Sequence, residues 1–123
     1  MKDYAFLLPN PFSTPFYYSS WYGGNSGGTL HEVGQKKPNA FGLYDMSGNV
    51  FQWCSDCYIL VNDTYYIIPL AERFGQKPIY LFRVTRGGSW YGNSGIDCCS
   101  AYRLPILPDY SHCTRGFRLA MTP

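Results

Sequence analysis

Residues 86–119, RGGSWYGNSGIDCCSAYRLPILPDYSHCTRGFRL, decide how this chain folds and what it presents to solvent. The two ends, residues 86–90 and 116–119, are compact runs of glycine, aromatic and arginine residues that have the character of a fixed scaffold. The residues between them follow neither the period of a helix nor the alternation of a strand. The stretch therefore predicts a surface of loops that a framework holds at both ends.

The composition of the whole chain limits its class. With 123 residues the chain is long enough for one hydrophobic core and too short for two domains. It contains 13 Gly and 9 Pro, which favours short elements joined by defined turns over a helical bundle. Charged residues make up 15% and the formal net charge is +2, so neither nucleic acid nor membrane insertion is expected. We predict one domain over residues 1–123, in which residues 1–28 form an irregular segment that wraps over the core.

Three candidate elements lie between residues 49 and 85. Residues 49–58 concentrate aromatic and aliphatic side chains and predict a short, largely buried segment. Residues 64–70 and 80–85 are β-branched and aromatic enough for strands, and we expect them to pair as an antiparallel hairpin. Just before these elements, three apolar residues are expected to face inward: Phe41, Leu43 and Met46.

The second half predicts two further strands around a loop. Residues 100–103 and 116–121 alternate in the way of half-buried strands, with Phe117 and Leu119 on the inner face. The region between them contains two Pro-marked turns and is predicted as loop.

Cysteine and histidine usage gives no strong catalytic signal. Five Cys leave at least one thiol unpaired in any intramolecular disulfide scheme, which leans towards a reducing compartment. Cys54 and Cys57 form a C-x-x-C pair that zinc or redox chemistry could use, but a second pair is lacking, so burial beside Trp53 is the better interpretation. His31 and His112 lie in predicted loops and are expected to be solvated. The first apolar run is too short for a signal peptide or a membrane span, so the location of the protein is left unknown.

Four motifs, in order, carry a family resemblance: PNAFGLYDMSGNV at 38–50, WCSD at 53–56, RVTRGGSW at 83–90 and GFRL at 116–119. The sequence resembles the sulfatase-modifying, formylglycine-generating enzyme family over residues 21–120. That region corresponds to the C-terminal half of the family's usual domain. The resemblance implies an α+β, C-type-lectin-like fold with small antiparallel sheets and long loops, shortened at its N-terminus.

The resemblance also identifies where oxidase chemistry would lie. The oxidases of this family hold copper with two cysteines, and the matching positions here are Gly92 and Asp97. A soft thiolate is needed to bind Cu(I), and neither glycine nor a carboxylate replaces it. We therefore predict no catalytic residues and no required cofactor. The alternative is a formylglycine-generating-type oxidoreductase or a degenerate relative of one.

A calcium site is the one cofactor that the resemblance leaves open. The family binds Ca²⁺ in a turn that matches the Asp45 side chain, the Gly48 and Val50 carbonyls, and Gln52. Oxygen ligands suit this hard cation, but Gln52 stands where the enzymes carry a glutamate, which removes a charge. The alternative is a turn in which Asp45 accepts hydrogen bonds from local amides.

Some proteins of this fold are the variable proteins of diversity-generating retroelements, in which template adenines are rewritten, often in AAC codons. Rewriting AAC never yields Lys, Glu, Gln, Trp or Met. None of these types occurs in the 24 residues of 91–114, whereas the other 99 residues contain 15 of them. At the composition of the other residues, such an absence would arise about one time in fifty. The alphabet of this window therefore favours a diversified segment.

We predict that residues 86–119 form a variable ligand-binding region for a protein or cell-surface ligand. Its contact residues are Tyr91, Gly92, Ser94, Ile96, Asp97, Cys99, Tyr102, Leu104, Ile106, Leu107, Tyr110, His112, Cys113 and Thr114. Tyrosine, serine, glycine and aliphatic side chains on scaffolded loops give contact area at modest entropic cost, as in antibody paratopes. Trp90, Phe117 and Leu119 would then belong to the scaffold. The alternative is ordinary drift of loop residues in a degenerate enzyme relative.

Overall fold

The computed structural model describes residues 14–61, 64–68, 81–92 and 95–119. The elements in these ranges are helix α1 (Thr14–Ser19) and strands β1 (Phe51–Val61), β2 (Thr64–Ile68), β3 (Leu81–Arg86), β4 (Leu104–Ile106) and β5 (Arg115–Gly116). A 3-10 helix spans Gly95–Cys98. No helix in these ranges combines the length and the apolar character needed to cross a membrane.

Strand β1 is the centre of the sheet. The strand order is β2-β1-β3-β4 with antiparallel neighbours, and β5 adds a short parallel pairing at the start of β1. β2 and β3 therefore lie on opposite sides of β1, and the predicted hairpin between residues 64–70 and 80–85 is wrong. The register of β1 against β3 shifts between Trp53 and Cys57, so the alternation that would have identified one long strand is interrupted. Of the predicted strands, residues 69, 70 and 80 lie outside the described residues.

Asn49 joins three segments of the protein just before β1. Its backbone N–H donates to the carbonyl of Trp21 at 2.7 Å, and its own carbonyl accepts from the N–H of Trp90 at 2.8 Å. Its side-chain amide pairs with both backbone groups of His31, at 3.1 Å and 3.0 Å. The residue is buried and has φ of 62°, a left-handed conformation that asparagine tolerates better than most residues. The motif NV at 49–50 is thus a junction of the fold.

The core of the described residues is small and lies on both sides of this junction. Phe16 on α1 packs against Tyr22 with ring centroids 5.1 Å apart, and Cys98 completes the cluster. In the sheet, Cys57 and Val84 are almost fully buried. Helix α1 therefore places one ordered element inside the segment that the sequence predicts as irregular.

Several apolar residues that the sequence predicts to face inward are exposed. Phe41, Phe117 and Leu119 are 87%, 76% and 88% exposed, and Leu43 and Met46 are exposed as well. The prediction that they face inward is therefore wrong, because no described part of the protein packs over them. The strands predicted at 100–103 and 116–121 are also wrong within the described residues. The first is a turn that follows the 3-10 helix, and of the described residues in the second only Gly116 lies in a strand, as the last residue of β5.

Candidate ligand-binding surface

The predicted variable region is fixed at its two ends by neighbouring residues of the framework. At the first end, the N–H of Trp90 donates to the carbonyl of Asn49 at 2.8 Å. At the second end, the N–H of Phe51 donates to the carbonyl of Thr114, also at 2.8 Å. The Trp90 indole N–H reaches the carbonyl of Cys113 at 3.5 Å and links the ends to each other. The segment 91–113 therefore begins and ends at neighbouring points of the framework, next to Asn49 and Phe51.

Most predicted contact residues lie on the solvent-facing side of residues 91–113. We name this side of the segment the variable surface. The exposed members are Tyr91, Ile96, Leu107, Tyr110, His112 and Cys113. The half-buried members are Gly92, Asp97, Tyr102, Leu104 and Ile106. Ser94 lies outside the described residues. Aromatic and aliphatic side chains in this number, exposed on defined loops, are typical of a contact surface.

Two predicted contact residues are buried and lie beneath the variable surface. Thr114 is 5% exposed, because its carbonyl is bound to β1 and its hydroxyl lies 2.8 Å from Nδ1 of His112. Cys99 is 7% exposed and lies in the turn after the 3-10 helix. Their side chains support the surface but do not form it, so their prediction as contact residues is wrong.

Leu104 and Ile106 lie on a strand rather than on the predicted loop. They form β4, which pairs with β3 along the edge of the sheet, at Thr85 and Arg83. Pro105 between them is compatible with an edge strand, because its missing N–H is not needed there. Strand pairing fixes the backbone of these two residues and leaves their side chains half-exposed to a ligand.

The two positions that match the oxidase cysteines are neighbours in space. A Cβ atom added to Gly92 would lie 3.6 Å from Oδ2 of Asp97. Asp97 is hydrogen-bonded to Tyr102, and burial, followed by this nearby carboxylate, raises the pKa of the Tyr102 phenol. The two matching positions thus hold a glycine, which has no side-chain ligand atom, and a carboxylate, which is a hard oxygen donor hydrogen-bonded to a neutral phenol.

The side chains of Asp45 and Gln52, which match two ligands of the family's calcium site, form hydrogen bonds within the protein. Oδ2 of Asp45 accepts from the N–H of Gly34 at 2.7 Å, and the Gln52 amide donates to the backbone carbonyl of Asp45 at 2.8 Å. The side-chain oxygen of Gln52 accepts from Nε of Arg118 at 3.3 Å. A guanidinium therefore lies on the side of the turn where a cation would need negative charge. The amide that donates to the Asp45 carboxylate lies eleven residues away, so this contact is not the local capping of the alternative interpretation.

The same turn lines an open apolar cleft of about 460 Å³. Its apolar walls come from Val33, Leu43, Tyr44, Val50 and Phe117. Val33 and Phe117 are among the most exposed apolar residues of the described part of the protein.

The cysteines are free thiols, and three of them line a second cavity of about 330 Å³: Cys54, Cys98 and Cys99. Burial, with a smaller contribution from Asp97, raises the pKa of the Cys98 thiol to about 12, so it stays protonated at neutral pH. Cys57 is 1% exposed in β1, in agreement with a buried small hydrophobe in the C-x-x-C pair. In the described ranges, no three His, Cys, Asp or Glu side chains are placed to hold a metal ion.

Neither histidine is simply solvated. His31 is half-buried, stacks on Trp21 at 3.6 Å between ring centroids, and its Nε2 lies 2.8 Å from the carbonyl of Ser26. His112 is exposed but stacks on Tyr110 at 6.0 Å with nearly parallel rings. The prediction of solvated histidines is wrong for His31 because the flat face of Trp21 covers it.

Sequence reasoning missed a cleft at the edge of the variable surface. The cleft has a volume of about 210 Å³ and is lined by Trp53, Asp109, Tyr110, His112 and Arg115, among others. Arg115 follows the window of 91–114 directly and lies outside the predicted contact residues. A cation one residue beyond a tyrosine-rich contact segment is the signal that could have identified this cleft.

A mostly antiparallel sheet that holds long, end-fixed loops defines a C-type-lectin-like domain. The protein belongs to the sulfatase-modifying factor enzyme 1-like domain family, whose profile matches residues 11–123.

Three relatives show the range of proteins in which this domain occurs. Variable protein 1 of Treponema denticola matches with a TM-score of 0.59 and 35% identity, over 81% of this chain and 34% of that one. The formylglycine-generating enzyme of Streptomyces coelicolor is 36% identical over 68% of this chain and 26% of the enzyme. Serine/threonine-protein kinase pkn1 of Chlamydia pneumoniae is 40% identical over 68% of this chain and 13% of the kinase. The match thus spans about a third or less of each relative's length.

Proposed function

We propose that this protein is a non-catalytic binding module that displays a diversified surface on a C-type-lectin-like scaffold. Its ligand is a protein or another cell-surface molecule, and the residues of the variable surface determine which one. The similarity to a variable protein supports the scaffold part of this proposal. The absence of catalysis and the binding role are supported by the residue types of the site.

One observation carries the proposal: Gly92 and Asp97, which the resemblance matches to the two oxidase cysteines, are neighbours in space, with a Cβ built on Gly92 3.6 Å from Oδ2 of Asp97. Neither residue offers a thiolate for copper. Around these two residues, the exposed residues are mainly tyrosine and aliphatic side chains, which form energetically effective contacts in protein interfaces. A retained scaffold with a chemically inert and apolar surface suits binding better than oxidation.

Sibling gene copies test the diversification. We expect their differences to fall in codons for residues 91–114, at template adenines, with a near-identical template repeat and a reverse transcriptase nearby. Differences that spread into framework residues such as Asn49, Phe51 or Val84 would contradict the proposal, because loop drift and diversification predict different distributions.

The cavity that contains Cys54, Cys98 and Cys99 is the observation that favours the alternative, an oxidoreductase. Copper(I) binds thiolate, and burial raises the pKa of the Cys98 thiol, so copper would have to displace a proton that the folded protein holds tightly. Incubation of the purified protein with copper, oxygen and a cysteine-containing peptide, followed by mass spectrometry, tests this alternative. We expect no formylglycine; copper-dependent conversion of the peptide would overturn the binding-module proposal.

A further inference from the structure

The cleft between β1 and the 107–112 loop is positioned to receive part of a ligand. Trp53 on β1 forms one wall, and Tyr110 and His112 on the loop form another. Arg115 and Asp109 contribute the two charged groups of the lining. The volume of about 210 Å³ admits a short side chain rather than a whole small molecule of drug size.

Arg115 is held rigidly in this cleft. Its backbone belongs to β5, and its N–H donates to the carbonyl of His112 at 3.1 Å. Its guanidinium lies over the ring of Tyr110, 4.7 Å from the centroid, and the Tyr110 ring is itself stacked on His112. A guanidinium stacked on an aromatic face retains its in-plane donors for another partner.

The hydrogen-bonding capacity of Arg115 is largely unused. Nη1 has one long hydrogen bond, to the Thr114 hydroxyl at 3.5 Å, and Nε is buried without a partner. No Asp or Glu in the described part of the protein forms an ion pair with this guanidinium, under a criterion of 4.0 Å between nitrogen and oxygen. A half-buried cation that forms no direct ion pair favours an anionic ligand group.

We propose that this cleft is a carboxylate subsite of the variable surface, with Arg115 as its cation; the inference rests on the proposed binding function. The planar guanidinium fork matches a carboxylate, and the aromatic walls suit the short apolar stem of an acidic side chain. One cation, with the Asp109 carboxylate also in the lining, suits a single negative charge better than the denser charge of phosphate. The ligand therefore presents Asp, Glu or a free C-terminus at this point.

The Nε–H signal of Arg115 in ¹⁵N NMR spectra of the whole protein reports on this subsite and is assigned by its loss in Arg115→Gln. Four probes are titrated: acetyl-Gly-Glu-Gly-amide, acetyl-Gly-Gly-Gly with a free C-terminus, acetyl-Gly-Gln-Gly-amide and inorganic phosphate. We expect saturable shifts with the first two at about millimolar concentrations, as for a single small contact. The first two probes distinguish the carboxylate of a side group from that of a C-terminus. Equal shifts with the Gln peptide, or tighter binding of phosphate, would overturn the proposal.

Variants separate a specific subsite from general charge attraction, with line shifts of the Trp53 indole N–H as the common readout. Arg115→Gln should lose binding, and Arg115→Lys, which keeps the charge without the fork, should weaken it about fivefold. Asp109→Asn should tighten carboxylate binding about threefold by removing a repelling charge. Arg83→Gln is the matched control, because Arg83 donates to the Ser55 carbonyl on β1 and does not line the cleft. Unchanged binding in a folded Arg115→Gln or Arg115→Lys protein would refute the subsite alone, whereas the binding-module proposal is decided by the gene comparison and the peptide oxidation assay.

Discussion

Asn49 illustrates how one residue can determine a junction of the fold. Its amide satisfies both backbone groups of His31, and its backbone bonds to Trp21 and Trp90. A hydrocarbon side group at this position would leave the two His31 groups without partners and would have to adopt a positive φ. The family motif thus contains asparagine for two separate physical reasons.

Substitutions at Asn49 separate these two reasons. Asn49→Gly tolerates the positive φ but loses both hydrogen bonds, and should lower the free energy of unfolding by about 2–4 kcal/mol. Asn49→Ala adds the backbone strain, about 1 kcal/mol more. Urea unfolding gives both values, with the exposed Ser111→Ala as a control expected to change stability by less than about 0.5 kcal/mol. A glycine variant as stable as the wild type would contradict the role of the amide.

The buried thiol of Cys98 makes the protein less stable at alkaline pH. Its pKa is raised from 9.0 to about 12, so the folded state holds this proton more tightly than the unfolded state. The resulting stability is fully present below pH 9 and is lost as pH rises from there towards 12, at most about 1.4 kcal/mol per pH unit. Burial also raises the pKa values of Tyr58 and Tyr102, which act in the same direction. Urea unfolding from about pH 8 to about pH 11 should therefore show a smaller loss of stability in Cys98→Ala than in the unsubstituted protein. Equal losses in the two proteins would contradict this account.

At the scale of elements, the fold separates residues that carry stability from residues that are displayed. Val84 in β3 is 1% exposed, whereas Ile96 and Leu107 of the variable surface are about half exposed. The double variant Ile96→Ser with Leu107→Ser should lower the free energy of unfolding by about 1 kcal/mol or less. Val84→Ala, a smaller chemical change, should lower it by about 2 kcal/mol because it leaves a cavity. Thermal or urea unfolding checks which variant loses more stability. A larger loss of unfolding free energy in the double variant than in Val84→Ala would show that the loops support the core.

The elements show how far the sequence could predict this structure. The turn before β1, the scaffold motifs at 86–90 and the exposed loop at 107–112 follow from residue types and spacing. The pairing of β2 and β3 with β1 does not, because the register shift between Trp53 and Cys57 hides the length of the central strand from any alternation test. Nor could the burial of Cys99 and Thr114 be read locally, since it depends on residues distant in the sequence. The Arg115 cleft was missed because it forms only when β5 pairs with β1.

At the scale of the whole molecule, the apolar cleft is a feature of the described residues that an ordinary surface does not show. Val33 and Phe117 are 81% and 76% exposed beside a cleft of about 460 Å³. Alternation placed Phe117 on the inner face of a strand, which is wrong, because β5 ends at Gly116 and the Phe117 side chain is exposed. The match covers only 34% of the length of the T. denticola variable protein, so most of that larger protein has no counterpart here.

Exposed apolar walls predict binding of a hydrophobic fluorescent dye by the folded protein. The double variant Val33→Ser with Phe117→Ser should lose most of this fluorescence, with a change in the free energy of unfolding of less than about 0.5 kcal/mol, because these side chains are already solvated. The double variant Ile96→Ser with Leu107→Ser is the control and should keep most of the signal, since it leaves the cleft walls intact. Loss of folding in the first variant would show that the cleft is closed in solution.

The ends of the 107–113 segment are fixed by the framework, which has a consequence for engineering. Strand β4 ends at Ile106, and the carbonyl of Thr114 accepts from the N–H of Phe51, so the framework fixes where this segment begins and ends rather than how many residues it contains. Doubling the length of a flexible connection adds only about 0.6 kcal/mol of closure entropy. Insertions in the 107–112 loop should therefore be accommodated as readily as substitutions. The domain could serve as a graft acceptor, into which foreign recognition loops of different lengths are transplanted while Ile106 and Thr114 are kept as the splice points.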